Sequence, residues 1–411
     1  MNRRVFLATA AAGLANAQNY SVPDSIKNLA PMTGSVKPIT DAERQERVEK
    51  ARRLMRDHKI GALLLEGGSS MFYFTGTRWP QTESTFALVL PVKGDLTWVV
   101  PESDRDEAQR AIHMAGDVRT WPGGEGPFKR LAQAFKDRGV ETGRIGVEER
   151  VRFGVFEGIH KELPDADYVS ADPVTVGCRV IKSPAELILM QQANDITIAA
   201  YKAAFATLRE GMDQRELSSN IAAAYKALGV QGNAMVSFGK YTAYPHGSIQ
   251  PQTLREGDLV LVDDGCSVEG YQSDITRTMI FGKPTPRQRD VWNLERKAQD
   301  AALAAAKPGA TCESVDAAAR KVITDAGFGP GYKVPGLPHR TGHGIGLDGH
   351  EWTYLVRGNK TKIEPGMCFS DEPMIAIYGE FGIRLEDCMY ITESNARTFT
   401  KQSPAIDQPF G

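Results

Sequence analysis

Residues 260–277, VLVDDGCSVEGYQSDITR, constrain this chain more than any other stretch. The segment is apolar up to Asp263, turns through glycine-rich sequence, and returns with Asp274 eleven residues later. A strand that ends in a carboxylate, paired with a strand that a carboxylate opens, brings two anionic side chains to one point. Two such groups repel each other unless positive charge sits between them. The pattern therefore predicts an antiparallel hairpin whose tip holds metal, and directs the search to further ligands.

Those ligands lie downstream. The sequence HRTGHGIGLDGHE carries His339, His343 and His350, with Gly342, Gly344 and Gly346 expected to let backbone approach a metal or substrate. In IEPGMCFSDEPMIAI, Glu372 stands at the end of a strand, just before Pro373. FGIRLEDCMYI alternates as one strand, with Arg384, Glu386, Cys388 and Tyr390 on one side and Ile383, Leu385, Met389 and Ile391 towards the core. An acid and an arginine on one face of a central strand need partners, because unpaired buried charge is costly. Asp263, Asp274, His343, Glu372 and Glu386 form an oxygen-rich set with one imidazole. It suits two divalent ions such as Mn²⁺, Co²⁺ or Fe²⁺, with Zn²⁺ as an alternative.

The first half reads differently. A helix is expected over 41–57, strands over 60–65, 85–92, 96–101 and 144–148, and helices near 104–114, 126–138 and 151–162. This is an α/β domain, with His58, His113 and His160 scattered and not clustered. Ser183-Pro184 with Glu186 signals the start of a long helix towards Leu208. A weak repeat follows. Gly211 to Gly229 and Gly309 to Gly327 enclose amphipathic helices of equal spacing, each preceded by a longer Ala-rich helix and followed by strands with acids. Two αβ copies with one site between their halves bring ligands together.

Charge excludes one class of partner. With 49 Lys and Arg against 51 Asp and Glu there is no cationic surplus for nucleic acid. No run of apolar residues is long enough for a membrane span. Five cysteines, widely spaced and odd in number, argue for buried thiols and against a disulfide framework. Residues 1–17 read as a signal peptide, with Arg3-Arg4-Val5-Phe6-Leu7 similar to a twin-arginine export signal and cleavage after Ala17. This places the chain in the periplasm or outside a bacterial cell. Residues 18–40 read as a linker, 41–178 as the first domain and 179–400 as the second.

At the five ligand blocks, VLVDDG…SDITRT, HGIGLDGH, SDEP and GIRLED, the chain resembles the creatinase/aminopeptidase P/prolidase family, the M24 metallopeptidases. Residues 42–175, with LLLEGGSSMFYFTG, resemble its creatinase-type N-terminal domain. The resemblance implies an α/β (α+β) chain. A creatinase-type α/β domain precedes a pita-bread catalytic domain, whose duplicated helix-strand halves surround a curved antiparallel sheet. It assigns Asp263, Asp274 and Glu386 to one ion, and Asp274, His343, Glu372 and Glu386 to the other. It makes Glu372 the acid–base group and His350 the stabiliser of the tetrahedral intermediate. His246 would line the scissile bond, His339 the pocket for the following residue, and Arg384 would support the site and, in dipeptidases, hold the substrate carboxylate. The implied activity is removal of the N-terminal residue from short peptides with proline second, by a homodimer in which the loop carrying Trp79 reaches a neighbour. Glu372-Pro373-Met374 departs from the usual Glu-Pro-Gly block and resembles the creatinase side. It opens a second reading, hydrolysis of a small non-peptide C–N bond as in creatinase or ectoine hydrolase. A third, a binding protein without catalysis, would require lost ligands, and none is lost.

Overall fold

The computed structural model describes residues 21–410 of the 411-residue chain. The expected signal peptide lies outside the described residues. In the first half, β1 (Ala62–Glu66), β2 (Ala87–Pro91), β3 (Leu96–Pro101), β4 (Gly116–Trp121), β5 (Arg144–Val147) and β6 (Asp167–Ser170) form one sheet in the order β4-β3-β2-β1-β5-β6. β1 and β2 are buried throughout, as their unbroken apolar runs require. Pairing is antiparallel for β1–β2 and β2–β3, and parallel for β3–β4, β1–β5 and β5–β6. The edge strands β4 and β6 were not expected. GDVRTW and DYVS are polar and partly exposed, so they carry no apolar signal.

The segment expected to be a linker is, from residue 21 on, a strap packed on the second domain. A short helix, Asp24–Lys27, buries Ile26, Ser25 Oγ donates to the Ala203 carbonyl at 2.9 Å, and Met32 N–H donates to the Leu228 carbonyl at 2.9 Å. Apolar Ile26 and Met32 make this stretch sticky in a way that its overall polarity hides. The second domain also extends past residue 400. Ile406 is buried, and its carbonyl accepts the Ile280 N–H at 3.0 Å.

The repeat is visible in the backbone. Helix Pro184–Phe205 starts with a capping box between Ser183 and Glu186, and helix Pro286–Ala305 with one between Thr285 and Gln288. Helices Gln214–Ala227 and Cys312–Asp325 follow, of 14 residues each. Each starts three residues after a left-handed glycine, Gly211 (φ 81°) and Gly309 (φ 82°). The Gly211 N–H donates to Leu254 O and the Gly309 N–H to Ile363 O, both at 2.8 Å. Nine residues beyond each acceptor stand Asp263 and Glu372.

The strands after each helix pair carry these acids. β7 (Met235–Phe238), β8 (Leu259–Asp263) and β11 (Arg277–Ile280) form a sheet in the order β11-β8-β7, with the small hairpin β9 (Ser267–Val268) and β10 (Tyr271–Gln272) beyond its tip. β12 (Gly342–Gly344), β13 (Glu351–Leu355), β14 (Cys368–Asp371), β17 (Asp387–Ile391) and β18 (Ala396–Thr398) form another, while β15 (Met374–Ile377) and β16 (Phe381–Arg384) pair alone. All these pairings are antiparallel. The single strand expected over FGIRLEDCMYI is thus two strands, broken at Leu385-Glu386, and both sides of it are buried. The break arises because the chain leaves one sheet for another. At the break the Glu386 N–H donates to Thr276 O at 3.1 Å. Fully buried Arg277 ties the crossing together, donating to Glu386 O at 2.8 Å and pairing with Asp387 at 2.7 Å.

Candidate metal centre

The expected ligands come from four separate places in the chain and converge. Asp263 ends β8, and Asp274 stands three residues before β11. His343 is the centre of β12, Glu372 follows β14, and Glu386 occupies the break between β16 and β17. Ligand atoms of Asp263, Asp274 and Glu386 lie within 4.8 Å of one another, as do those of His343, Glu372 and Glu386, and those of Asp274, His343 and His350. The groups overlap at Asp274, His343 and Glu386, the arrangement two neighbouring cations need. His350, expected beside the reacting carbonyl, therefore also lies within ligand reach.

The donor chemistry fits cations. His343 Nδ1 lies 3.1 Å from Gly344 O, and a ring N–H donated there leaves Nε2 facing Glu372 at 3.2 Å and Asp274 at 3.7 Å. Glu386 Oε1 is buried and has no hydrogen-bond partner. Burial, then the neighbouring carboxylates, push Asp274 and Glu386 well above the usual carboxylate range. Glu372 moves down: burial opposes this, and the hydrogen bond and charge of His343 outweigh it. His343 moves up, against burial, through Glu372 and Asp274. The acids thus favour positive charge at His343, and a cation bound between them would compete with a proton there.

Residues not singled out in the sequence hold the cluster. Thr276 Oγ lies 2.5 Å from Asp263 Oδ1 and 2.6 Å from Glu386 Oε2, and accepts from Arg384 Nε at 3.0 Å. A hydroxyl has one proton, so it serves one carboxylate at a time. Ser370 Oγ accepts the His343 N–H at 3.1 Å and donates to Glu372 at 3.2 Å. Both hydroxyls belong to the ligand blocks, at SDITR and FSDE, and that proximity was the available signal. Arg384 engages the site through all three nitrogens: Nη2 pairs closely with Asp263, Nη1 donates to Pro245 O at 3.1 Å, and Nε serves Thr276.

A cavity of about 760 Å³ opens over the acids, lined also by His246, His339, Arg340, His350 and Asp264. His339 Nδ1 bonds Arg340 O at 2.6 Å, its Nε2 is buried without a partner, and burial lowers its pKa. Burial first, then His343 and Arg340, hold His350 down to about 4. Arg340 Nη2 lies 3.1 Å from His350 Nδ1. Arginine only donates, so Nδ1 accepts and the ring proton sits on Nε2. Asp264 stands outside the ligand groups: its φ is 109° and its carboxylate accepts the Met235 N–H at 3.2 Å. The three glycines of the histidine loop let neighbouring backbone and side chains pack closely. Cβ atoms on Gly342, Gly344 and Gly346 would meet Ser370 O, Glu351 O and the Glu351 carboxylate at 2.1, 2.7 and 2.8 Å. All five cysteines are free and buried, and Cys388 Sγ bonds the Asp274 backbone. Trp79 stacks on Phe86, with centroids 4.3 Å apart.

The histidine loop is clamped from the first domain. Asp348 accepts from Ser69 Oγ at 2.5 Å and pairs with Arg150 at 2.8 Å and Arg179 at 2.7 Å. Glu351 pairs with Lys182 at 3.1 Å and closely with Arg179. Among the described residues no helix is long and apolar enough to cross a membrane.

Comparison with known proteins agrees with this architecture. The model of metallopeptidase family M24 matches residues 188–393, and that of the creatinase/prolidase N-terminal domain matches residues 47–181. An Xaa-Pro dipeptidase of Lactobacillus delbrueckii subsp. lactis is 32% identical over 365 residues, 87% of this chain and 98% of the relative. Among solved structures, a dipeptidase from Mycobacterium ulcerans superposes with a TM-score of 0.81 at 31% identity, covering 89% of this chain and 97% of the other. A prolidase from Thermococcus sibiricus gives 0.80 at 30%, covering 87% and 97%. The expected two-domain mixed α/β fold holds, and with relatives matched at both domains over most of their length, this chain belongs to metallopeptidase family M24.

Proposed function

We propose that the protein removes the N-terminal residue from short Xaa-Pro peptides with two divalent cations, Mn²⁺ first among them. Asp263, Asp274 and Glu386 would hold one, and Asp274, His343, Glu372 and Glu386 the other. The observation that carries this is the overlap of ligand groups at Asp274, His343 and Glu386, in a chain similar over 87% of its length to an Xaa-Pro dipeptidase. Cations held by these residues would supply acidification of a water and polarisation of the scissile carbonyl. Glu372, kept ionised beside His343, takes the proton from the attacking water and passes it to the leaving nitrogen. That transfer matters at an Xaa-Pro bond, whose tertiary nitrogen must be protonated to depart. His350, with its proton on Nε2, donates to the carbonyl oxygen as it becomes anionic. Arg384 holds Asp263 in place, while His246 and His339 line the cavity on the substrate's path.

The Met374 departure does not favour a creatinase-like substrate. Its side chain is fully buried in the core, in β15 opposite Arg384, and lies outside the cavity lining. For the export signal, the support is the Arg3-Arg4 sequence ahead of a short apolar run. Fractionation of cells should find the protein in the periplasm or medium, and replacement of both arginines by lysine should retain it inside. Activity is tested by loading purified protein with Mn²⁺ and measuring proline release from Xaa-Pro peptides, against creatine and ectoine. Proline release that persists undiminished in Asp274→Ala would sink the two-cation mechanism.

A further inference from the structure

A second cavity, of about 640 Å³, shares no lining residue with the one over the acid cluster. It lies where the two domains and the strap meet. The strap brings Lys37, helix Asp41–Asp57 brings Arg44, the segment after helix Ser69–Thr75 brings Arg78, and the turn between β9 and β10 brings Glu269. His113 and Asp41 also line it.

The cations there are short of partners. Arg78 Cζ stands 3.8 Å from the centre of the Phe72 ring, and its guanidinium makes no hydrogen bond or ion pair among the described residues. Neither does the Lys37 ammonium. Arg44 gives Nη1 to Asp41 at 3.1 Å, an acid whose side chain is 84% exposed, while its Nε is buried with no partner. The Arg44 side chain is held against the backbone at Gly76, where a Cβ would stand 2.6 Å from Nε. Burial lowers the Arg78 pKa, Glu269 opposes that, and the charge of Arg44 adds to it. Guanidinium groups stay charged, so two of them close together call for an anion, as the paired carboxylates call for a cation. The donors come from three separate segments and surround a ligand, where a carboxylate would offer a single edge. A phosphate, with oxygens on every side and more than one charge, suits them better.

We propose that this cavity binds a phosphate-type oxyanion, held by Arg44, Arg78 and Lys37 at the junction of the two domains. The site is separate from the catalytic one and independent of its substrate. Its bound anion also braces the fold. Arg78 lies over the β9–β10 turn, with Nη2 3.1 Å from where a Cβ on Gly270 would stand. Beyond that turn the Gln272 N–H donates to Gly346 O at 2.8 Å, in the histidine loop. An anion that fixes Arg78 therefore steadies the contact between the first domain and this hairpin.

The test titrates inorganic phosphate into the full-length Mn²⁺-loaded protein by calorimetry, with sodium chloride and sodium acetate at matched ionic strength as controls. Phosphate should bind saturably at one site. Arg78→Gln and Arg44→Gln should each weaken that binding about tenfold or more, the worth of one charge-assisted contact, and Arg78→Lys should keep part of it. Phosphate should also raise the Tm of the wild type by a few degrees and that of Arg78→Gln by much less. Arg78 makes no hydrogen bond in the fold, so its glutamine variant serves even if Arg44→Gln fails to fold. Absence of saturable binding overturns the proposal, and so does an equal response to chloride, which would be screening alone. Acetate that binds as tightly as phosphate overturns the class of ligand. Affinity that is unchanged in the glutamine variants puts the phosphate elsewhere, at the metal centre, and overturns the site.

Discussion

Arg179 Nη2 and Asp348 Oδ2 meet at 2.7 Å across the boundary between the two domains. Arg179 ends helix Asp172–Arg179, which carries the first domain past the boundary expected at 178, as does its family match to residue 181, and Asp348 lies between His343 and His350. The first domain thereby holds the loop that carries both histidines. Asp348→Asn should cost about 2 kcal/mol in urea unfolding, since Arg179 keeps Glu351 as a partner. The same change should lower kcat by about tenfold through a displaced His350, with bound metal unchanged. An unchanged kcat would show that the clamp serves stability alone.

Glu351 ties this network to acid stability. Burial works to raise its pKa, but Lys182 and then Arg179 outweigh it and hold the group at about 2, below its ordinary value of 4.5. The folded value lies below the unfolded one. The stabilisation is therefore complete above about 4.5 and is lost as pH falls from there through about 2. It amounts to something on the order of 3 kcal/mol. Glu351→Gln should destabilise the protein at pH 7 and much less at pH 2.5, read by denaturant titration at both values. Equal losses at the two pH values would contradict this.

The crowding of Asp274 and Glu386 sets an opposition between metal binding and metal-free stability. Glu386→Gln removes one of the buried acids, so the chelated variant should gain about 1 kcal/mol over chelated wild type. Mn²⁺ should raise the Tm of the wild type by several degrees and leave the variant nearly unmoved. Thermal melts with and without metal, together with metal content, check both halves. A variant with wild-type metal content would refute the assignment of Glu386 to both groups.

Gly342 is required for strand contact. A Cβ there would sit 2.1 Å from Ser370 O, on the residue whose hydroxyl holds both His343 and Glu372. Gly342→Ala should push β12 from β14, cost about 2–3 kcal/mol and weaken metal binding by tenfold or more. Thermal melts and a metal titration measure the two effects. Wild-type values in both would mean the strands part without consequence.

Much of the site was legible because ligands at strand tips leave a local mark. An apolar run that ends in an acid is visible at Asp263, an acid just ahead of a proline at Glu372, and the paired glycines at 211, 229, 309 and 327 mark the two halves. Less was legible at Leu385-Glu386, where alternation continues smoothly through a break between sheets, because both faces there are buried and polarity no longer reports direction. Edge strands β4 and β6 were missed for the opposite reason, since half-exposed strands need few apolar residues.

The sequence by itself determined the five candidate ligands, their order and the hairpin that starts the site, because each follows from a pattern within a few residues. Only the tertiary structure decided how the charged side chains are shared out. Arg384 and Asp263 are 121 positions apart, and Arg179 and Asp348 are 169 apart. An arginine's partners are settled by which carboxylates and carbonyls the fold brings within about 3 Å of it. That competition occupies Arg384 and leaves Arg340, with one N–H given to His350, open to the cavity.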